Sequence, residues 1–203
     1  MPNIAEIENI ALFDLDGTLG DYDKSMKESL DSLRLPGEPD YSLPLTDDSP
    51  AYLKERADQI RAVSSWWENL EKFQLGWDIL KISRELGYRE MILTQGPRRN
   101  PAAWLGKKKW IDKNLGPDTD MTITRDKSLV FGKLLVDDYP GYIESWLNWR
   151  KRGLVIMPAN EQNKDYTHPQ VIRYDGNNLN RVVNAMALIR HRKRGEEFDF
   201  SQI

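Results

Sequence analysis

The sequence contains no cysteine and only two histidines, His168 and His191, among its 203 residues. Without cysteine the chain forms no disulfide bond, no thiolate nucleophile and no zinc–thiolate site. The two histidines lie far apart in the sequence, so we expect neither a histidine-based catalytic triad nor a zinc cluster. The absences therefore exclude thiol chemistry and disfavour histidine chemistry.

Long hydrophobic runs are also missing. No apolar stretch approaches the roughly 20 residues that a membrane helix needs, so we expect no membrane partner. Glu6 and Glu8 interrupt the start of the chain, which disfavours a signal peptide and favours a cytoplasmic location. The formal net charge of -3 gives no sign of general nucleic-acid affinity, and we expect no stable nucleic-acid partner.

The segment Asp14-Leu15-Asp16-Gly17-Thr18 directly follows an apolar stretch, residues 10–13, that predicts a buried parallel strand. Side chains alternate along a strand, so Asp14 and Asp16 start on the same face. Two carboxylates that close repel, which indicates a hard cation between them. Gly17 lets the backbone turn sharply. A plain strand-end turn, in which Asp and Gly are common, is the alternative.

Apolar periodicity predicts alternating strands and helices, and hence an α/β fold with a mostly parallel, doubly wound sheet. The predicted strands are residues 9–14, 91–94, 121–124, 134–137, 154–157 and 171–172. The predicted helices are residues 23–34, a helix that begins at Ser49-Pro50, residues 75–86, a helix from Pro101 to Gly116, residues 141–152 and a last helix capped by Asn177. About 75 residues separate the first two strands, far more than a crossover needs, and the excess is helical. We therefore expect a core domain of residues 1–20 and 76–203 with a small helical cap, residues 21–75, inserted after the first strand.

Four groups of polar residues fall at predicted strand ends. They are Asp14 with Asp16, Thr94-Gln95-Gly96, Lys127, and Asp137-Asp138. Phosphoryl transfer needs a nucleophile, an acid, a cation and donors that hold the phosphate. A carboxylate can be the nucleophile, Thr94 and Lys127 can bind phosphate, and Asp137 or Asp138 can complete a Mg²⁺ site. Each group alone is a weak signal, but the four in this order favour such a site.

With these motifs the sequence resembles the haloacid dehalogenase superfamily. Residues 14–18 match its first motif, Thr94 the second, Lys127 the third and Asp137-Asp138 the fourth. Residues 109–138 are similar in more detail to the 5'(3')-deoxyribonucleotidase family, including the spacing from the lysine to the aspartate pair. Thr94 is followed by Gln95, where that family tends to have serine.

The resemblance implies a Rossmann-like core and a Mg²⁺-dependent phosphatase that acts on nucleoside 5'-monophosphates through an aspartyl-phosphate. It implies that Asp14 is the nucleophile and that Asp16 is the acid and base. Mg²⁺ would be bound by Asp14, the Asp16 carbonyl and Asp138, with Asp137 beside them. Thr94, Gln95 and Lys127 would bind the phosphate, and Tyr22, with Trp66 or Trp67, would contact the base or sugar.

Several alternatives stay open at this point. The substrate can be another small phosphate ester or a nucleic-acid end, or the chain can bind phosphorylated ligands without hydrolysis. Dehalogenation is disfavoured, because Asp16 has no duty in it. Tyr22 can instead be a core residue under the cap. A homodimer is one alternative for the oligomeric state, and the basic run from Arg190 to Arg194 is most simply a solvated helix end.

Overall fold

A six-stranded parallel sheet forms the centre of the computed structural model, which describes residues 9–193, Glu196 and residues 199–202. Its strands are β1 (Ile10–Phe13), β2 (Arg89–Thr94), β3 (Met121–Ile123), β4 (Leu134–Val136), β5 (Leu154–Pro158) and β6 (Val171–Tyr174). The strand order is β3-β2-β1-β4-β5-β6, and every neighbouring pair is parallel. This is the Rossmann order. Successive strands are added on one side of β1 up to β3 and on its other side from β4 onward, so the order of addition reverses between β1 and β4. The predicted doubly wound sheet is confirmed.

The helices largely follow the predicted positions. They are α1 (Tyr22–Ser32), α2 (Ala51–Arg61), α3 (Ser64–Glu68), α4 (Gln74–Glu85), α5 (Pro101–Asn114), α6 (Pro140–Trp149) and α7 (Leu179–His191). The short helix α3 was not predicted. The Asn100 cap is confirmed, because its side chain accepts a hydrogen bond from the Ala103 N–H at 3.1 Å.

Two predicted helix starts are wrong by one residue. Pro50, rather than Ser49, is the N-cap of α2, since the Ser49 hydroxyl instead accepts the Thr46 N–H at 2.9 Å. Asn178, rather than Asn177, is the N-cap of α7, and its amide donates to the Arg173 carbonyl oxygen at 2.9 Å. Neither helix start has a side-chain cap hydrogen bond, because the Ser49 and Asn178 side chains bond to backbone groups of the preceding turn instead.

Two adjacent inner strands of the sheet are completely buried. Every residue of β4 and β5 is buried, as a sheet covered on both faces requires, and this accounts for the continuous apolar runs in the sequence. Leu12, Leu135 and Val155 from three adjacent strands pack with Trp146 of α6 in one core cluster. The Trp146 indole N–H donates to the Val130 carbonyl oxygen at 3.1 Å. The close packing holds the strand ends in a fixed register.

By packing, the chain divides into two units. The first comprises residues 1–19, 73–95 and 119–203 and contains the sheet; the second comprises residues 20–72 and 96–118. In the second unit, Met26 and Leu30 of α1 pack with Leu53 and Ala57 of α2.

The grouping of residues 96–118 with the inserted helices differs from the predicted boundary, which placed them in the core domain. The cause is local. A side chain on Gly106 of α5 would overlap the Ser64 carbonyl oxygen of α3, so only glycine allows these helices to approach so closely. The Trp110 indole N–H adds a hydrogen bond of 2.8 Å to the Leu70 carbonyl oxygen.

The ends of the described chain add two observations. Across the part of the chain that the structure describes, no helix combines the length and apolar character needed to cross a membrane. Arg190 and His191 of the predicted basic run lie in the last turn of α7, where positive charge complements the helix dipole. Arg194 lies outside the described residues.

Candidate active site

The ends of β1 and β4 meet at the point where the strand order reverses, and ligands bind there in open α/β sheets. The register pairs Phe13 with Val136, so Asp14 and Asp137 follow side by side. The Asp14 N–H extends the ladder with a hydrogen bond of 2.9 Å to the Val136 carbonyl oxygen. Thr94, fully buried, ends the adjacent strand β2 at the same edge.

A buried lysine joins two of these carboxylates. The Lys127 ammonium lies 2.9 Å from Asp14 Oδ1 and 2.6 Å from Asp137 Oδ2. It also lies 4.6 Å from the centre of the Tyr142 ring. Burial alone would lower the pKa of Lys127, but the charges of Asp137 and Asp14 outweigh it and raise that pKa, so the lysine stays charged.

Asp137 is committed to protein partners at both oxygens. Its Oδ2 pairs with Lys127, and its Oδ1 accepts the Tyr139 N–H at 3.0 Å. Burial raises the pKa of Asp137 to about 6; Lys127 opposes this rise and the nearby Asp14 charge adds to it. Lys127 therefore compensates this carboxylate.

Asp138 is held by neutral groups instead. Its Oδ2 accepts the Asn160 amide N–H at 2.9 Å, and its Oδ1 lies 3.4 Å from the Thr18 hydroxyl. Burial raises the pKa of Asp138 well above its ordinary value, and the charges of Asp137 and Asp14 add to the rise. The carboxylate is thus oriented without being neutralised.

The site has more negative charge than its one lysine can balance. One carboxylate oxygen from each of Asp14, Asp137 and Asp138 lies within 4.8 Å of the others. Hard oxygen donors gathered at this spacing fit a hard divalent cation such as Mg²⁺. The Asp16 carboxylate is not part of this group within the described chain, which leaves its backbone carbonyl as the ligand that the resemblance implies.

The loop after β1 is tightly confined. Gly17 has a φ of +72°, as its predicted sharp turn requires, and any side chain on it would overlap the Asp138 carboxylate. On the other side, a side chain on Gly76 of α4 would overlap the Thr18 carbonyl oxygen. Two glycines thus allow the carboxylate-bearing loop to lie between Asp138 and α4.

The remaining predicted residues divide between the two units. Asp16 and Gln95 lie partly buried in the first unit, at the ends of β1 and β2. Tyr22, Trp66 and Trp67 lie in the second unit.

The three rings of the second unit pack on one another. The Tyr22 ring lies 5.4 Å from Trp66 and 5.7 Å from Trp67 between ring centres. Trp67 is only 2% exposed, and its indole N–H donates to the Arg61 carbonyl oxygen. Trp67 is thus a core residue of that unit. The substrate-pocket role of Tyr22 and Trp66 stays a prediction.

Sequence reasoning missed several residues around this site. Tyr142, Asn160 and Asn163 belong to no recognised motif. Tyr142 of α6 lies against the Lys127 ammonium, and the two asparagines of the loop after β5 bond to Asp138. The available signal was position, since Pro158-Ala159-Asn160 directly follows a predicted strand and therefore reaches the carboxyl edge of the sheet.

One comparison with a known protein finds a relative of the kind that the sequence resemblance implies. The chain is 26% identical over 139 residues to the human 5'(3')-deoxyribonucleotidase, cytosolic type, covering 63% of this chain and 69% of that one. This match confirms the resemblance to the 5'(3')-deoxyribonucleotidases that the sequence motifs indicate. No family model matches the chain. Similarity to this relative supports the phosphatase chemistry that the sequence resemblance implies.

Two solved structures are similar at lower levels. A haloacid dehalogenase-like hydrolase, so described, from Burkholderia xenovorans is 13% identical with a TM-score of 0.47, over 89% of this chain and 97% of that one. Phosphoserine phosphatase from T. onnurineus is 13% identical with a TM-score of 0.41, over 95% of this chain and 99% of that one. At TM-scores below 0.5, the fold assignment rests on the strand order and register described above.

Proposed function

We propose that this chain is a Mg²⁺-dependent phosphatase that hydrolyses nucleoside 5'-monophosphates through an aspartyl-phosphate on Asp14. One observation carries the proposal: the buried ammonium of Lys127 lies between Asp14 and Asp137, beside Asp138, where the strand order reverses. A nucleophilic carboxylate, a fixed cation and a hard-metal site are the parts that phosphoryl transfer needs.

Asp14 is the nucleophile in this proposal. Of the two carboxylates paired with Lys127, only Asp14 has an accessible side chain, 9% exposed against 0% for Asp137. Lys127 holds one Asp14 oxygen and so orients the carboxylate. In the first step an Asp14 oxygen bonds to phosphorus and the ester P–O bond breaks.

Asp16 carries the proton in both steps. It donates a proton to the departing ester oxygen, which leaves as an alcohol. It then accepts a proton from the water that attacks the aspartyl-phosphate. The bond between phosphorus and Asp14 breaks, inorganic phosphate leaves, and both aspartates return to their starting states.

Positive charge stabilises the phosphoryl group. Lys127 supplies a permanent, buried cation, while Thr94 and Gln95 are proposed to hold phosphate oxygens. Mg²⁺, when bound by Asp14, Asp138 and the Asp16 carbonyl, would add charge neutralisation. Asp137 keeps Lys127 in place.

The nucleotide substrate is the finer part of the proposal. It is supported by the sequence similarity to a 5'(3')-deoxyribonucleotidase. In the second unit, Tyr22 and Trp66 are partly exposed aromatic residues, and nucleobases stack on such rings. We extend the cytosolic location in the relative's name to this chain on the same basis.

A phosphate-release screen tests the proposal. Purified protein is assayed with nucleoside monophosphates, sugar phosphates and a phosphorylated oligonucleotide end, with Mg²⁺ or with a chelator. We expect Mg²⁺-dependent release, highest for nucleoside 5'-monophosphates, that Asp14→Asn abolishes and the exposed control Asp165→Asn leaves unchanged. Faster release from the sugar phosphates or the oligonucleotide would reassign the substrate. No release from any of them would overturn the phosphatase.

A further inference from the structure

The loop after β5 contains a polar network that none of the assigned roles uses. Asn160 donates to Asp138 Oδ2 at 2.9 Å, and Asn163 donates to the Asp138 carbonyl oxygen at 3.0 Å. Arg173 of β6 donates hydrogen bonds to both asparagines. The network therefore contacts both the side chain and the backbone of Asp138.

Backbone groups fix the orientation of the Asn160 amide. The Asn160 Oδ1 accepts the Asn163 N–H at 2.9 Å, so the NH₂ group must face Asp138. Reciprocally, the Asn163 Oδ1 accepts the Asn160 N–H at 3.0 Å. Each amide thus has one orientation, and the donor to Asp138 cannot turn away without breaking a second bond.

Asn163 is fully buried and all its polar atoms have partners. Its Oδ1 also accepts the Arg173 Nε–H at 3.0 Å, and its NH₂ group donates a second bond, of 2.9 Å, to the Pro158 carbonyl oxygen. Arg173 further donates to the Asn160 carbonyl oxygen at 3.0 Å. A satisfied buried network of this kind is rigid, so the loop presents Asn160 at a fixed place.

The chemistry of the contact points to a cation. An amide orients a carboxylate but leaves its charge in place, whereas the lysine on neighbouring Asp137 compensates that charge. Groups that hydrogen-bond a metal ligand orient it and are costly to remove. We propose that Asn160, held by Asn163 and Arg173, is a positioning residue that keeps the Asp138 carboxylate in the orientation that binds the divalent cation. This inference rests on the proposed function, because it takes Asp138 as a cation ligand.

Mg²⁺ binding to the purified full-length chain tests the inference. Calorimetry gives the Mg²⁺ Kd of the wild type, of Asn160→Ala and of Gln162→Ala, which removes an exposed amide from the same loop. We expect Asn160→Ala to raise the Kd about 10- to 100-fold, with little change in melting temperature without Mg²⁺. Gln162→Ala should keep the wild-type Kd. Arg173→Gln should raise the Kd less than Asn160→Ala, because it weakens only the support.

Activity then separates positioning from a structural role. Phosphate release by Asn160→Ala should return to within a few-fold of the wild-type kcat at saturating Mg²⁺. A lower Mg²⁺-free melting temperature with activity that added Mg²⁺ does not restore would overturn the inference. An Asn160→Ala variant that binds Mg²⁺ with the wild-type Kd would also overturn the inference. The proposed phosphatase function would then still hold, provided that the wild type releases phosphate. A wild type that binds no Mg²⁺ would overturn both.

Discussion

Asp137 and Asp138 are neighbours in sequence but lie in two different electrostatic environments. Asp137 faces the Lys127 ammonium at 2.6 Å, while Asp138 faces the Asn160 amide at 2.9 Å. The lysine compensates the first charge, and the amide merely orients the second. One strand end thus supplies a structural ion pair on one side and an uncompensated ligand on the other.

The largest expected effect comes from removing the compensating charge. Lys127→Met leaves two buried carboxylates without a cation, so it should lower the free energy of unfolding by about 3–5 kcal/mol and abolish phosphate release. Urea unfolding without Mg²⁺ measures the first effect. In a double-mutant cycle, Lys127→Met with Asp137→Asn should be less destabilised than the sum of the single variants. Additive losses would show that the pair is not coupled.

Substituting each aspartate separately sharpens the comparison. Asp137→Asn should change the free energy of unfolding less than Lys127→Met does, because the buried Lys127 keeps Asp14 as a charged partner and the lost Asp137 charge carried its own burial cost. Asp138→Asn should not lower Mg²⁺-free stability, since it removes an uncompensated charge, but it should abolish the rise in melting temperature that Mg²⁺ produces. Thermal melts of both variants with and without Mg²⁺ check this. If Asp137→Asn, rather than Asp138→Asn, abolished the Mg²⁺-dependent rise in melting temperature, Asp137 would be the cation ligand instead of Asp138.

The motif residues were predictable from sequence because Asp14, Thr94 and Asp137 lie at or directly after strand ends, and Lys127 lies in a short 3-10 turn that follows β3. Asp14, Lys127 and Asp137 meet as expected once the strands are parallel and in register. The partners of Asp138 were not predictable, because Asn160 reaches it across 22 residues through the register of β4 and β5. Pairwise contacts of that kind leave no periodic pattern in one sequence.

The same limit applies to the division of the chain. The alternation of strands and helices was sufficient to predict the parallel sheet, and the long helical insertion after β1 was visible as excess length. The grouping of α5 with the inserted helices depends on a close backbone contact at Gly106. A glycine within a helical pattern does not by itself identify which element packs against it, so the sequence could not predict this contact.

The pH dependence of stability, with and without Mg²⁺, provides a test with a smaller expected effect. The pKa of Asp137 is raised to about 6 and that of Asp138 is raised well above its ordinary value, so the Mg²⁺-free folded state binds protons that the unfolded state, at about 3.9, has released. These groups therefore lower stability as the pH rises from about 4 to above 6. Mg²⁺ competes with those protons, so its stabilising effect should be larger near pH 8 than near pH 5.5. Melting curves across this range check the sign, and an equal or smaller Mg²⁺ effect at the higher pH would contradict it.

The smallest expected effect concerns the second unit. If Tyr22 stacks on a base, Tyr22→Ala should raise KM for a nucleotide roughly 5- to 100-fold, since stacking contributes about 1–3 kcal/mol. Hydrolysis of acetyl phosphate, which has no base, should hardly change. Steady-state kinetics on both substrates check this. Equal losses on both, or a lower melting temperature that accounts for them, would show that Tyr22 only packs against Trp66 and Trp67.

Trapping the covalent intermediate tests the central claim most directly. In Asp16→Asn, an ester with a good leaving group, such as p-nitrophenyl phosphate, should still phosphorylate Asp14, because departure needs no proton. The aspartyl-phosphate should then accumulate, because no base activates water. Mass spectrometry of the acid-quenched, digested protein should find one phosphoryl group on the peptide that contains Asp14, and none in Asp14→Asn with Asp16→Asn. A phosphoryl group on another peptide would contradict the account. So would an Asp16→Asn variant with no phosphoryl group on Asp14, if the wild type hydrolyses the same ester.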